Sequence, residues 1–208
     1  GGTREPIDAV RVLANRSSGK QGYAIAAEAA ARGAQVTLVS TVDLSVPAGV
    51  TVARVDTAAE MQAALEHLAP ASDVVVMAAA VADFRPKAPA THKLKKHDGV
   101  PEIVLEPTPD ILAGLGAGKR PGQVLVGFAA ETDDLAANAT SKLVNKRVDM
   151  IVANDVGAPA TGFGYDTNAV TIFLADGDPV AVPLSDKRAI AAAVLDQIVA
   201  RRARLGNN

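Results

Sequence analysis

The residues of this chain best suited to chemistry lie between Ala78 and Lys96, in the stretch AAAVADFRPKAPATHKLKK. An apolar run, VVVMAAAVA, ends at Asp83, and a loop containing Pro86 and Pro89 then leads to Lys93, Lys95 and Lys96. Buried strands commonly end in short polar turns, whereas long ordered loops in compact domains tend to serve function. A carboxylate at a strand exit followed by a lysine-tipped loop suits a polyanion such as a nucleoside triphosphate. Taken alone, Asp83 also suits a turn or cap, and the three lysines also suit a merely soluble loop.

A second candidate is Asn15-Arg16-Ser17-Ser18-Gly19-Lys20-Gln21-Gly22, which reads as the start of a helix. Unpaired amides and the positive helix end favour an anion there. It is not a P-loop, because the leading Gly is missing and Gln21 follows Lys20 where a Ser or Thr would ligate magnesium. It is not GxGxxG either. Lys142 and Lys146 are four apart and share one helix face, as a phosphate-facing pair or a solvated one. His67, His92 and His97 lack metal-ligand spacing, and nothing resembles a GxSxG elbow or a Ser-His-Asp set.

The elements that must position these residues alternate. Ser18 to Gln21 has capping-box spacing and opens a helix, YAIAAEAAAR, that stops at Gly33. Gln35 to Thr41 and Val50 to Val55 read as strands. Thr57 to Leu68 reads as a helix with Met61, Ala64, Leu65 and Leu68 on one face. Asp73 to Ala80 is a fully apolar strand of the kind found inside parallel sheets. Glu102 to Leu105 reads as a short strand, and Thr108-Pro109-Asp110 starts a helix with Thr as cap and Pro at the first helical position. Gln123 to Ala130 is another buried strand, followed by a helix from about Asp133 to Arg147 and a strand from Met150 that ends at Asn154-Asp155. Ala169 to Leu174 and Val180 to Pro183 flank Asp176-Gly177-Asp178 as a hairpin, and a helix from Lys187 to Arg204 follows. The order predicts one α/β domain over 1–208: a Rossmann-like, mostly parallel sheet, helices on both faces, and a small antiparallel hairpin extension at its edge or against a partner subunit. Ligands of such sheets bind outside the carboxyl ends of the strands. Asn15 to Gly22, Ala78 to Asp83, Pro109 to Leu112, Phe128 to Thr132 and Asn154-Asp155 fall at such ends or at helix starts, so their convergence makes one site.

Composition narrows the function. The chain has 208 residues, 49% hydrophobic and only 3% aromatic, so its core rests on Val, Leu, Ile and Ala. With 21 basic and 23 acidic residues, net charge −2, a body-wide nucleic-acid footprint is unexpected and any basic site is local. The absence of cysteine excludes disulfides, thiolate metal sites and a Cys nucleophile. No apolar stretch nears the 18 residues of a membrane span. We expect a soluble cytoplasmic protein. Gly1-Gly2-Thr3-Arg4-Glu5-Pro6 reads as the turn after a strand, which suggests a chain cut from a longer protein.

Taken in order, GGTREPID, NRSSGKQG, AAAVADFRP, KLKK, PDIL, GFAAET and AND resemble phosphopantothenoylcysteine synthetase, the synthetase half of the bacterial bifunctional coenzyme A biosynthesis protein. The resemblance runs from Gly1 to about the end of the last helix. It implies a Rossmann-like homodimer and a two-step ligation in which the carboxylate of 4′-phosphopantothenate attacks the α-phosphate of CTP, releasing pyrophosphate, and the amine of L-cysteine displaces CMP. It implies Mg²⁺ with the CTP, and FMN only in a fused N-terminal flavin-dependent decarboxylase. Asn15 matches the family's essential asparagine at the acyl-phosphate, and Ser17, Gly19 and Gly22 the helix start that holds the phosphopantothenate end. Met77, Ala78 and Ala79 match a backbone segment beside the nucleotide. Asp83, Lys93, Phe128, Lys142, Lys146 and the segment Pro109, Asp110, Ile111, Leu112 match CTP contacts, and Asn154 a substrate-contacting asparagine. Asp83 is also the nearest Mg²⁺ ligand, or else a ribose contact. An acyl-cytidylate hydrolyses if water reaches it, so the lysine loop is expected to close as a flap that delivers Lys93. The rivals are an NAD(P)-dependent Rossmann oxidoreductase, a non-catalytic nucleotide-binding module, and use of ATP in place of CTP.

Overall fold

The computed structural model describes residues 1–131, 134–155 and 165–206. The chain opens with a small antiparallel pair, β1 (Arg4–Pro6) and β2 (Val12–Ala14), followed by α1 (Lys20–Ala31). Next come β3 (Val36–Ser40), β4 (Val50–Arg54), α2 (Ala58–Leu68) and β5 (Val74–Met77). A second antiparallel pair, β6 (Phe84–Pro86) with β7 (Leu105–Pro107), carries the lysine loop between its strands. The remainder is α3 (Ile111–Ala117), β8 (Val124–Glu131), α4 (Leu135–Asn145), β9 (Met150–Asp155), β10 (Thr167–Leu174), β11 (Val180–Asp186) and α5 (Lys187–Gly206). Thr132 and Asp133, which the sequence places at a strand exit and a helix start, lie outside the described residues.

Among the described residues the main sheet has the order β11-β10-β9-β8-β5. β5, β8 and β9 are parallel, and the β10–β11 hairpin adds antiparallel to β9 at the edge. Alternate residues of each strand enter different cores, as a two-residue side-chain period requires. Val124, Val126, Met150 and Val152 meet Ile190, Val194 and Ile198 of α5. Leu125, Ala129, Ile151 and Ala153 meet Ala139 and Leu143 of α4. A fully buried Val, Leu or Ile contributes roughly 1.5–3 kcal/mol, so these two layers dominate stability. β3 and β4 pair in parallel with each other and stand apart from that sheet. Gly2 bridges to Ala80 in the parallel sense, with the Thr3 N–H donating to the Ala80 carbonyl at 3.3 Å.

Four local expectations are corrected. Ser18 does not cap α1: Gly19 is the N-cap, in the left-handed region at φ 74°, a backbone that glycine adopts without steric cost. Thr108 and Pro109 do not open α3: Asp110 is the N-cap, its carboxylate accepting from the Ala113 N–H at 3.0 Å. Thr108 instead donates its hydroxyl to the Ala82 carbonyl at 2.5 Å. The strand expected over Glu102 to Leu105 lies at Leu105–Pro107, where it meets β6. β5 ends at Met77, before Ala80. A capping box does occur in the chain, at Thr57 and Glu60, at the start of α2.

Candidate active site

The carboxyl ends of β5, β8 and β9 open on the amino end of α1, and between them lies a cavity of about 110 Å³. One wall is Ser17 to Gly22, less Lys20; the others are Ala78 to Ala80, Phe128 to Ala130, and Asn154. Asn168 of β10 and Lys187 of α5 close it. Thus four of the five candidate segments meet in one place. The first-turn amides of a helix lack intrahelical acceptors and carry its positive end, so α1 offers donors to an anion here. Asn154, Asn168 and Lys187 are each more than nine-tenths buried, so three buried polar side chains stand in an otherwise largely apolar wall.

Asn15 sits just outside the cavity, after β2. Its side-chain amide donates to the Val81 carbonyl at 2.9 Å, which holds the group beside the strand exit. An amide nitrogen carries two hydrogens, so a second donor is left to face ligand. Met77 packs into a core shared with Met61 and Ile111 and does not line the cavity, whose wall on this strand begins at Ala78.

The fifth segment lies apart from the cavity. Ile111 is buried and Leu112 partly buried, while Pro109 is exposed and Asp110 caps α3. Lys146, at the end of α4, reaches Asp110 with Nζ 3.2 Å from Oδ2. Lys142 lies one turn earlier and is partly buried. The close approach behind this pair is made at Gly116: a Cβ there falls 1.8 Å from the Lys146 carbonyl oxygen. A side chain at that position and the present path of α4 exclude each other.

Asp83 is exposed and its carbonyl accepts from the Thr108 N–H at 2.9 Å, fixing the base of the β6–β7 pair. Lys93 is exposed and does not line the cavity. Its loop leans on the turn between β1 and β2. The Leu94 N–H donates to the Asp8 carboxylate at 3.0 Å, and Arg11 donates back to the Leu94 carbonyl at 2.8 Å. Asp8 also accepts from the Val10 and Arg11 amides and from the Arg11 guanidinium. The Arg11 guanidinium, with those amides, holds the Asp8 carboxyl well below the usual carboxylate range. Among the described residues no three His, Cys, Asp or Glu side chains gather as a metal cage, and no helix is long and apolar enough to cross a membrane.

Lys187 and Asn168 were not picked out from the sequence as site residues. Lys187 carried a signal nonetheless: a lysine at the first position of a helix sits at the positive end of the helix dipole, where cations are disfavoured. Asn168 gave none, because an asparagine in a strand has no local signature.

With this geometry in place, comparison with known proteins decides the family. Residues 1–201 match the family described as DNA/pantothenate metabolism flavoprotein C-terminal domain. The chain belongs to that family. It is 48% identical over 202 residues to the coenzyme A biosynthesis bifunctional protein CoaBC of Bacillus subtilis (strain 168), covering 96% of this chain and 50% of that protein. The chain therefore spans about half the length of the curated relatives it matches. A crystal structure of the C-terminal domain of a CoaBC superimposes with a TM-score of 0.83 at 42% identity, covering all of this chain and 93% of that one. A Cab2 variant in complex with phosphopantothenate-cysteine shares the fold, with a TM-score of 0.79 at 19% identity, over 100% of this chain and 85% of that one.

Proposed function

We propose that the chain is the ligase part of a coenzyme A biosynthetic protein and joins 4′-phosphopantothenate to L-cysteine at the expense of CTP. The observation that carries this reading is the convergence of Ser17 to Gly22, Ala78 to Ala80, Phe128 to Ala130 and Asn154 on one cavity at the carboxyl ends of three parallel strands. Relatives named for coenzyme A biosynthesis, and a solved complex of the same fold with phosphopantothenate-cysteine, support the substrate class.

In the first step the pantothenate carboxylate oxygen attacks the α-phosphorus of CTP, and the P–O bond to pyrophosphate breaks. In the second the cysteine amine attacks the acyl carbon, loses a proton, and the C–O bond to CMP breaks. Asn15, at the cavity's edge, donates to oxygen on which charge develops. Lys93, Lys142 and Lys146 screen the approach of two anions. Lys146 exchanges Asp110 for phosphate oxygen as nucleotide enters, and Phe128 and the backbone of Met77 to Ala79 border the nucleotide. Asp83 would hold Mg²⁺ beside the triphosphate, or else contact the ribose, and the ion when bound would supply neutralisation of phosphate charge. The active unit is a homodimer, fused in the full protein to a flavin-dependent decarboxylase.

The test is pyrophosphate release with 4′-phosphopantothenate and either CTP or ATP. We expect CTP to support release and Asn15→Ala to lose about 10²–10³ in rate. Release with ATP alone would overturn the nucleotide, and release with neither would overturn the ligase.

A further inference from the structure

Lys187 is unfavourably placed for a residue with no task. It is the first residue of α5 and only 8% exposed. A buried cation is costly unless paired, and the helix dipole adds to that cost. The neighbouring charges relieve it only in part. Asp166 is bound by Lys20 at 2.6 Å and its side chain is 84% exposed. Asp186 spends its carboxylate capping α5, accepting from the Ala189 N–H at 2.7 Å. Lys20 itself is a like charge. Burial pushes the Lys187 ammonium below its usual range, with Lys20 acting in the same sense and Asp166 against it.

Around this cation stand groups with unspent hydrogen-bonding capacity. Gln21 donates its amide to the Lys187 carbonyl at 3.1 Å, which aligns α1 with α5. Its Oε1 is buried without a partner. Asn168, 6% exposed, uses its oxygen to accept from the Ala169 N–H, leaving its NH₂ as a donor. The cavity volume of about 110 Å³ is several times the roughly 10–15 Å³ that one water requires. It therefore admits a tetrahedral anion and the start of the chain that carries it. Donors from α1, β10 and α5 line one partly open cavity with no carboxylate in its wall, and a doubly charged phosphate monoester meets that arrangement best.

We propose that Lys187, with Asn168, binds the terminal phosphate of the pantothenate substrate and makes the enzyme select the phosphorylated acid over free pantothenate. This rests on the ligase reading above. Lys187 is a specificity determinant here, remote from the carboxylate that reacts. The phosphate concerned is the monoester of the acid substrate; a nucleotide phosphate is the competing source.

Lys187→Met keeps the stem and removes the charge; Lys187→Arg keeps the charge. Calorimetric titration with 4′-phosphopantothenate and with pantothenate reads the inference whether or not turnover occurs, while CTP-dependent pyrophosphate release by the unaltered chain reads the ligase assignment separately. We expect Lys187→Met to weaken 4′-phosphopantothenate binding about 10- to 100-fold, the worth of one charged hydrogen bond. It should leave pantothenate binding and the KM for CTP unchanged and melt no lower than the unaltered chain. Lys187→Arg should recover part of the discrimination. The inference is overturned if Lys187→Met still separates the phosphorylated from the unphosphorylated acid as well as before. It is equally overturned if the KM for CTP rises instead, which assigns the lysine to the nucleotide.

Discussion

Gly116→Ala tests whether the packing of α3 on the end of α4 sets the nucleotide site. In an ordinary helix this change is favourable, because Ala exceeds Gly in helix propensity by about 1 kcal/mol. Here the new Cβ falls 1.8 Å from the Lys146 carbonyl oxygen, 3.0 Å from its carbon and 3.4 Å from the Arg147 carbonyl oxygen. All three obstacles are backbone, so no side chain can rotate away. Restoring van der Waals contact near 3.4 Å moves the two segments apart by about 1.6 Å. Overpacking of this sort costs about 1–3 kcal/mol, and backbone obstacles place it at the upper end. After the propensity gain the net loss is about 2 kcal/mol, a fall in Tm of about 4–8 °C for a chain of this length. The same movement draws Lys146 from Asp110, 3.2 Å away. Misplacement by an ångström costs on the order of 10² in turnover efficiency, so the KM for CTP should rise about 10- to 100-fold while binding of 4′-phosphopantothenate to the cavity is retained. Thermal melts by circular dichroism and CTP-dependent pyrophosphate release are the assays. A variant that melts at or above the parent with an unchanged KM for CTP refutes the reasoning, since the close approach would then be neither tight nor coupled to Lys146.

Further outcomes follow from other parts of the structure. Lys93→Gln alters an exposed loop residue and should change stability by less than about 0.5 kcal/mol yet cut turnover by about 10²–10³; parental turnover would end the flap reading. Asp8 is held below the ordinary carboxylate value, so the stability its tether of the lysine loop contributes is complete above the unfolded value of about 3.9 and is lost as pH falls from there through the lower folded value. Exchange of the Leu94 amide should therefore be slow and flat from pH 5 upward once corrected for intrinsic chemistry, and Asp8→Asn should make it fast throughout; equal protection in the variant would show that Asp8 does not hold the loop. Arg147 follows α4 at φ 52°, a backbone that costs a non-glycine residue about 1 kcal/mol, so Arg147→Gly should raise Tm by about 2–4 °C. A lower melting point would show that the arginine side chain contributes more than its backbone strain costs.

Local chemistry made much of the architecture legible. The runs QVLVGFAA and MIVA announced buried central strands, because residues apolar on both faces fit only a sheet covered on both sides. The Asp176-Gly177-Asp178 turn announced the edge hairpin. Local readings failed where two competent residues stood close together. Ser18 and Gln21 have capping spacing, yet Gln21 is drawn to Lys187, 166 positions away. Thr108-Pro109 reads as a helix start, yet the Thr108 hydroxyl goes to Ala82 and Asp110 takes the cap. In each case a long-range partner or a better neighbouring cap outweighed the local pattern, and nothing in the spacing ranks such competitors.

By itself, then, the sequence determined the alternation of strands and helices, which segments are core, and where carboxyl ends and helix starts carry Asn, Asp, Gly and Lys. These are properties of a residue and its near neighbours: side-chain period, propensity, turn chemistry. The tertiary structure decided which of those ends meet. It brought four candidate segments to one cavity, set the fifth beside Lys146, and tied the loop of the opening stretch, through the Leu94 backbone, to Asp8 and Arg11. It also buried Lys187 at a helix start, beside an unpartnered Gln21 oxygen and the Asn168 amide. Burial, electrostatic pairing and backbone clearance are set by residues far apart along the chain, and they exist only once the sheet has closed between its helices.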